Sequence, residues 1–254
     1  MTLTPEQQTR YSRHIFLPEI GEEGQTRLLS AKVLIIGMGG LGSAAAYYLA
    51  ASGVGTLYIS DNELVELSNL QRQILYRTED IGALKTHAAQ KNLVALNPDI
   101  TIIPLAGLSP NSVNNSECLS ALEDADVVLD CTDNFPTRYA INALCAKLKK
   151  PLISGSAIAN RGQVAVFPLH LPNSACYECL YPEQNIEDEH QPRCADSGVM
   201  SPLVGIIGSM QALETLLIIN KKTKSSAKIL RINAENLRNI ILNIDLDPAC
   251  LHHH

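Results

Sequence analysis

KVLIIGMGGLG (32–42) decides how the chain is read. An apolar run, KVLII, is followed at once by four glycines within GMGGLG and then by the small-residue segment SAAAYYLAASG (43–53). The order is strand, tight turn and helix start, and the spacing is GxGxxG: Gly37, Gly39 and Gly42, with Gly40 between them. Glycines at such a turn let the backbone approach phosphates, whose charge the helix N-terminus stabilises. Asp61 closes the next predicted strand, TLYISD (56–61), where a carboxylate reaches ribose hydroxyls. On this segment alone NAD, FAD, SAM and ATP all remain open. No GxxxxGK[ST] loop occurs, which disfavours a P-loop NTPase.

Strand and helix patterns alternate on either side of this unit. Further strands are predicted at 99–105, 126–134 and 151–156, and helices at about 84–96, 112–125 (loosely) and 136–149, the last opened by a first-turn proline. One or two short helices are expected within 5–29. Alternation of this kind gives a mostly parallel, Rossmann-like sheet with helices on both faces. QVAVFPL (163–169) reads as an added, antiparallel strand. Residues 172–200 read as a long loop, SPLVGIIGSMQALETLLIINKK (201–222) as an apolar helix closely packed on another, and 228–234 and 237–244 as two closing strands. The expectation is a single domain over 1–254, with a nucleotide-binding half at about 30–155 and a crossover loop with C-terminal strands at about 156–250.

The totals agree with an enzyme-sized globular chain. There are 254 residues, of which 46 % are apolar, enough for a full core. The formal charge of −6 argues against a nucleic-acid partner. The N-terminus lacks the apolar segment of a signal peptide, and no run of 18 uninterrupted apolar residues is present, so neither export nor a membrane span is expected. The seven cysteines are odd in number, and no disulfide framework is expected. Cys118, Cys131 and Cys145 fall in apolar patterns and read as small buried hydrophobes.

Two polar segments stand where an open α/β sheet binds ligands. SNLQRQ (68–73) follows the second strand and offers Asn69, Arg72 and Gln73. Asp133 and Asn134 lie just beyond the fourth strand, and Lys85 opens a helix. Cations and a carboxylate converging on a nucleotide suit phosphoryl or nucleotidyl transfer, in which developing charge is neutralised and Mg²⁺ is oriented. An NAD-dependent oxidoreductase would leave SNLQRQ and the cysteine pairs without a use.

RYSRHIFLPEIGEEGQ (10–25), the GMGGLG loop, SNLQRQ, DCTDN (130–134) and GVMSPLVGIIGSMQALE (198–214) together resemble the E1-like ThiF/MoeB/HesA adenylyltransferases, over nearly the whole chain. The resemblance implies an ATP- and Mg²⁺-dependent homodimer that adenylates the C-terminal glycine of a ubiquitin-fold sulfur carrier, ThiS-like or MoaD-like, with release of pyrophosphate. It implies that Asp61 holds the ribose, that Asn69, Arg72 and Lys85 contact phosphates with Gln73 nearby, and that Asp133 holds Mg²⁺ as the key catalytic acidic residue. It also implies that Arg13 reaches into the partner subunit's ATP site. The apolar helix at 203–219 is an expected part of the dimer or carrier surface.

The same resemblance gives Cys176 and Cys179 of CYEC a role as half of a structural Zn²⁺ site. Cys250 is the third ligand, and His253 stands where the family has a fourth cysteine. A tag remnant on a shortened chain is the competing reading of LHHH. Cys194, in the long loop, is a candidate for acyl-disulfide formation with the carrier or a spectator. The loop is expected to cross the ATP site. Glu63, where the family commonly has an aspartate, is expected to keep the charge but not the reach. Ala159 and Asn160 leave the carrier-facing pocket less predictable. Thiamine thiazole biosynthesis is favoured over molybdopterin synthesis, and a catalytically inactive dimeric scaffold is the reading of another class. No rhodanese-like domain is visible, so a separate sulfur donor and a cytoplasmic location are expected.

Overall fold

A computed structural model describes residues 2–108, 116–183, 198–222 and 226–253. Short helices α1 (Pro5–Arg10) and α2 (Ser12–Ile15) and the longer α3 (Gly21–Ser30) precede the sheet, one more than the sequence pattern separates. The break between α1 and α2 falls at Tyr11. Its buried ring packs where a Cβ on Gly53 would sit, and its hydroxyl accepts from Asn97 Nδ2 at 2.9 Å.

The sheet has eight strands in the order β3-β2-β1-β4-β5-β6-β7-β8. β1 (Lys32–Ile36), β2 (Thr56–Ser60), β3 (Thr101–Leu105), β4 (Val127–Asp130) and β5 (Leu152–Ile158) run parallel. β6 (Arg161–Phe167), β7 (Lys228–Asn233) and β8 (Arg238–Asn243) extend the sheet antiparallel. The expected extra strand at 163–169 is therefore present and antiparallel. The strand order reverses between β1 and β4, which opens a crevice at their carboxyl ends.

Side-chain alternation distributes the core over both faces. Val33 and Ile35 of β1 join the apolar cluster under α4 (Gly40–Ala51), α5 (Lys85–Leu96) and the long helix near the C-terminus. Leu34 and Ile36 join the cluster under α6 (Ser116–Asp124) and α7 (Phe135–Leu148). Cys118, Cys131 and Cys145 are buried, as their apolar settings imply. Only the part of the expected 112–125 helix from Ser116 onward lies within the described residues.

The long segment after β6 begins with a short helix, α8 (Tyr177–Leu180), and the long apolar helix is α9 (Ser201–Ile219). By length and composition α9 passes as a membrane span, although polar residues break its apolar run. Its buried face, however, carries Leu203, Ile207, Gln211 and Thr215 against the sheet and α4. A Cβ on Gly208 would lie 2.3 Å from the Leu41 carbonyl oxygen and 2.9 Å from Ala44 Cβ, so the α4 and α9 backbones touch. That is the close packing the small residues of both helices imply. β8 lies at the free edge and exposes Ile240, Ile241 and Leu242.

Candidate adenylation site

The glycine loop leaves β1 at the reversal point. Gly37 has φ +91°, a left-handed conformation that favours glycine. A Cβ there would lie 2.7 Å from the Cys131 carbonyl oxygen, so the loop abuts the start of the segment after β4. Gly42 sits closer still, since its Cβ would meet the Gly37 carbonyl oxygen at 2.0 Å. Gly42→Ala is therefore expected to distort the loop, at a cost of roughly 1–3 kcal/mol, and to abolish detectable ATP binding by isothermal titration. Gly39 differs: the nearest atom to its notional Cβ is Gln73 Nε2, at 3.8 Å. This open space lies in front of the first-turn amides of α4, which have no intrahelical acceptors.

The residues the sequence singles out gather around this loop. Asp61 Oδ2 accepts from Met38 N at 2.7 Å and Oδ1 from Glu63 N at 2.8 Å, which fixes the carboxylate beneath the loop. Burial pushes its pKa up, opposed by those two amides and by Lys85. The buried Tyr76 hydroxyl donates to the Met38 carbonyl at 2.7 Å and holds the loop from behind. Gln73 is buried, and its Oε1 has no hydrogen-bond partner among the described residues. An orphaned buried acceptor beside an open glycine cradle fits a nucleotide ligand.

Lys85, at the start of α5, is buried and its ammonium donates to Glu63 Oε2 at 2.5 Å. Glu63 thus keeps the expected charge and pairs it with Lys85. Its own side chain is largely exposed, so an incoming phosphate competes with a solvated carboxylate for that lysine. Arg72 donates to the Ser68 carbonyl at 3.0 Å, and its backbone oxygen lies beside the position a Gly40 Cβ would take. Asn69 is more structural than its motif suggests: its Oδ1 accepts from Glu66 N at 3.1 Å and shapes the turn that carries Arg72.

DCTDN divides its labour. Asp130 is buried. Its Oδ1 accepts from Thr132 N at 3.0 Å and Thr132 Oγ1 at 2.6 Å, and its Oδ2 from Ser154 Oγ at 2.6 Å and Arg138 Nη1 at 3.0 Å. Asp133 stands exposed in the crevice segment without a hydrogen bond among the described residues. That is a suitable state for a carboxylate expected to hold a hard cation. Asn134 Oδ1 accepts from Thr137 N at 3.0 Å, so this side chain caps α7.

Arg138 and Gln211 are the polar residues the sequence pattern does not single out. Gln211 Nε2 donates to the Asp130 carbonyl at 2.9 Å and the Ile153 carbonyl at 3.1 Å, tying the ends of β4 and β5 to α9. The available signal was periodicity: Arg138 shares the inward stripe of α7 with Ile141 and Cys145, and Gln211 shares that of α9 with Ile207 and Thr215.

Two expected participants are not gathered here. Arg13 is exposed on α2, with no hydrogen bond or ion pair among the described residues. Cys194, and with it the part of the crossover loop expected over ATP, lies outside the described residues.

The cysteine group lies behind α7. Cys176, Cys179 and Cys250 place their sulfurs within 4.8 Å of one another, with Cys176 3.9 Å from Cys179 and 3.6 Å from Cys250. A tetrahedral site with Zn–S bonds of about 2.3 Å has S···S edges of about 3.8 Å, so the three thiols fit zinc. Asn142 of α7 supports them, donating to Cys176 Sγ at 3.5 Å and accepting from Tyr177 N at 2.9 Å. The Cys176 thiol is pushed up by its hydrogen bond to Cys179 and by burial, and Cys250 chiefly by burial. Metal binding therefore has to displace protons. His252 Nε2 lies 2.7 Å from Glu178 Oε2, while the imidazole of His253, the expected fourth ligand, lies outside the described residues.

Residues 11–251 match the ThiF family. The chain belongs to that family. Over 212 residues it is 47 % identical to the sulfur carrier protein ThiS adenylyltransferase of Escherichia coli K12, covering 83 % of this chain and 81 % of that one. It is 38 % identical to the molybdopterin-synthase adenylyltransferase of the same organism, over 98 % of this chain and 97 % of that one. Among solved structures, the crystal structure of E. coli MccB with ATP superposes with a TM-score of 0.80 at 25 % identity, covering 96 % of this chain and 73 % of that one. The ThiF-family fold, with its mostly parallel sheet and antiparallel extension, is the one expected from the resemblance.

Proposed function

We propose that this ThiF-family adenylyltransferase, a single adenylation domain over 1–254, uses ATP to adenylate the C-terminal glycine of a ubiquitin-fold sulfur carrier in thiamine thiazole biosynthesis. The observation that carries the reading is the crevice between β1 and β4. It joins an open glycine cradle, a buried Lys85 and, without hydrogen bonds among the described residues, a buried Gln73 oxygen and the Asp133 carboxylate. Similarity to a ThiS adenylyltransferase over most of both chains favours the thiamine carrier. Similarity to a molybdopterin-synthase adenylyltransferase over nearly the full length keeps a MoaD-like carrier as the second reading. An inactive scaffold is disfavoured because Arg72, Lys85 and Asp133 are all present.

The chemistry asks for alignment more than for proton transfer. The carrier's terminal carboxylate is already ionised and attacks the α-phosphorus of ATP. An O–P bond forms, the bond from the α-phosphorus to the bridging oxygen breaks, and pyrophosphate leaves with the electron pair. Arg72, Lys85 and the α4 amides reduce repulsion between the two anions and stabilise the departing charge. Asp61 orients the ribose. Mg²⁺, held by Asp133, would supply further charge neutralisation. Arg13, exposed and without an ion pair among the described residues, suits a homodimer in which it reaches the partner's site, and the exposed Ile206 and Leu213 of α9 and the apolar edge β8 suit partner surfaces. Zinc held by Cys176, Cys179, Cys250 and His253 would pin the C-terminus to α8. Cys194 is the proposed site of the acyl-disulfide with the carrier, and a separate cytoplasmic donor supplies the sulfur.

The test is carrier-dependent ATP–pyrophosphate exchange with a ThiS-like and a MoaD-like carrier compared directly. Exchange at least tenfold faster with the ThiS-like carrier is expected. The reverse preference assigns the molybdopterin pathway, and silence with both, in an intact zinc-loaded protein, overturns the adenylation reading for these carriers.

A further inference from the structure

We propose that Arg138 is a positioning residue of the adenylation site: its buried guanidinium sets the loop that presents Asp133. The inference rests on the reading above, in which Asp133 serves the nucleotide-bound metal.

Arg138 is 5 % exposed, on the inward stripe of α7. Its Nη1 donates to Asp130 Oδ2 at 3.0 Å and to Ser154 Oγ at 2.8 Å, and its Nη2 donates to the Gly155 carbonyl at 2.9 Å and to the Thr132 carbonyl. One rigid fork thus joins the ends of β4 and β5 and the segment after β4. Asp130, held by that fork, in turn binds the amide and the hydroxyl of Thr132. Every polar group of Thr132 is therefore secured, directly or through Asp130, by Arg138. The next residue is Asp133, which makes no hydrogen bond of its own among the described residues, and after it Asn134 is fixed as the cap of α7. The Asp133 carboxylate thus makes no hydrogen bond among the described residues, while both its backbone neighbours are held. Because Cys131 abuts Gly37, a shift in this segment also reaches the glycine loop.

A role in stability alone accounts poorly for the arrangement. Burying an ion pair incurs desolvation that its attraction barely offsets, and an apolar residue would continue the stripe of Ile141 and Cys145 without that cost. What an apolar residue, or a lysine, lacks is a planar fork that addresses an anion and two carbonyls at fixed angles.

Arg138→Lys is the informative variant, because it keeps a cation beside Asp130 and loses the fork. ATP binding is measured by isothermal titration with Mg²⁺ and with EDTA, beside thermal melting and pyrophosphate exchange. The expected result is ATP affinity in EDTA within about twofold of wild type, a roughly tenfold loss of the Mg²⁺-dependent gain in affinity, and exchange slowed at least tenfold. Thr132→Val, which removes only the hydroxyl link to Asp130, gives the same pattern at smaller amplitude and serves if the lysine variant does not fold. Asp133→Asn sets the reference by removing the Mg²⁺-dependent gain with melting unchanged. If Asp133→Asn abolishes that gain while the Arg138 or Thr132 variants lose only stability, Arg138 is purely structural and the proposal falls. If Asp133→Asn leaves the gain intact, the reading of Asp133 falls and takes the proposal with it.

Discussion

Asp133→Ala is expected to slow carrier-dependent pyrophosphate exchange by about 10²- to 10³-fold, the usual effect of removing a group that stabilises developing charge. The melting temperature should stay within about 1–2 °C of wild type, because surface changes away from special features cost little. The structure supplies the reason for the split. Asp133 is exposed and makes no hydrogen bond among the described residues, whereas three residues away Asp130 is buried and bonded to Thr132, Ser154 and Arg138. Asp130→Ala serves as the converse variant. It leaves the Arg138 charge buried without its counter-ion, at a cost of about 3–5 kcal/mol, and should melt far earlier. A melting curve and an exchange assay on the two proteins check both halves. Full activity in Asp133→Ala would remove this residue from the mechanism.

Cys179→Ser is expected to take the purified protein from about one zinc per chain to nearly none by elemental analysis, and to lower the melting temperature by on the order of 10 °C. Loss of a metal that joins separate segments removes several kcal/mol, and each kcal/mol moves the midpoint of a chain this size by about 2–4 °C. The effect is large because Cys250 lies beyond the last strand and reaches back to α8, while Asn142 ties the same knuckle to α7. Zinc retained at full stoichiometry in Cys179→Ser would show that the three clustered thiols are not the metal site.

The order of elements was legible because each strand of the parallel half is an apolar run bounded by Gly, Pro or a polar tip, and each helix repeats at helical spacing. Spacing alone located the glycine loop and left the choice of nucleotide open. What stayed hidden were features created by three-dimensional neighbours. By residue type the two aspartates of DCTDN are alike, and only the resemblance singles out Asp133; the packing of α7 and β5 then makes Asp130 a core anchor and leaves Asp133 exposed. Arg138 and Gln211 were hidden because a polar residue on a helix is ordinarily taken as surface, although both fall on inward stripes. The Glu63–Lys85 pair was hidden because it depends on the pairing of Leu64 with Leu84, which brings Lys85 N to the Glu63 carbonyl at 2.9 Å. The break at Tyr11 had no local signal, since it follows from the fit of one ring against Gly53.

The two aspartates of DCTDN carry an evolutionary consequence. If chemistry draws on Asp133 as proposed, while folding draws on Asp130, a single codon change at the second position yields a chain that folds, keeps its surfaces and no longer turns over. The dependence runs one way: the core network positions the second aspartate, but no core residue hydrogen-bonds to its carboxylate among the described residues. When homologous sequences are sorted into active and silent members, the residue to inspect is the second aspartate, because the first is tied into the core by Thr132, Ser154 and Arg138.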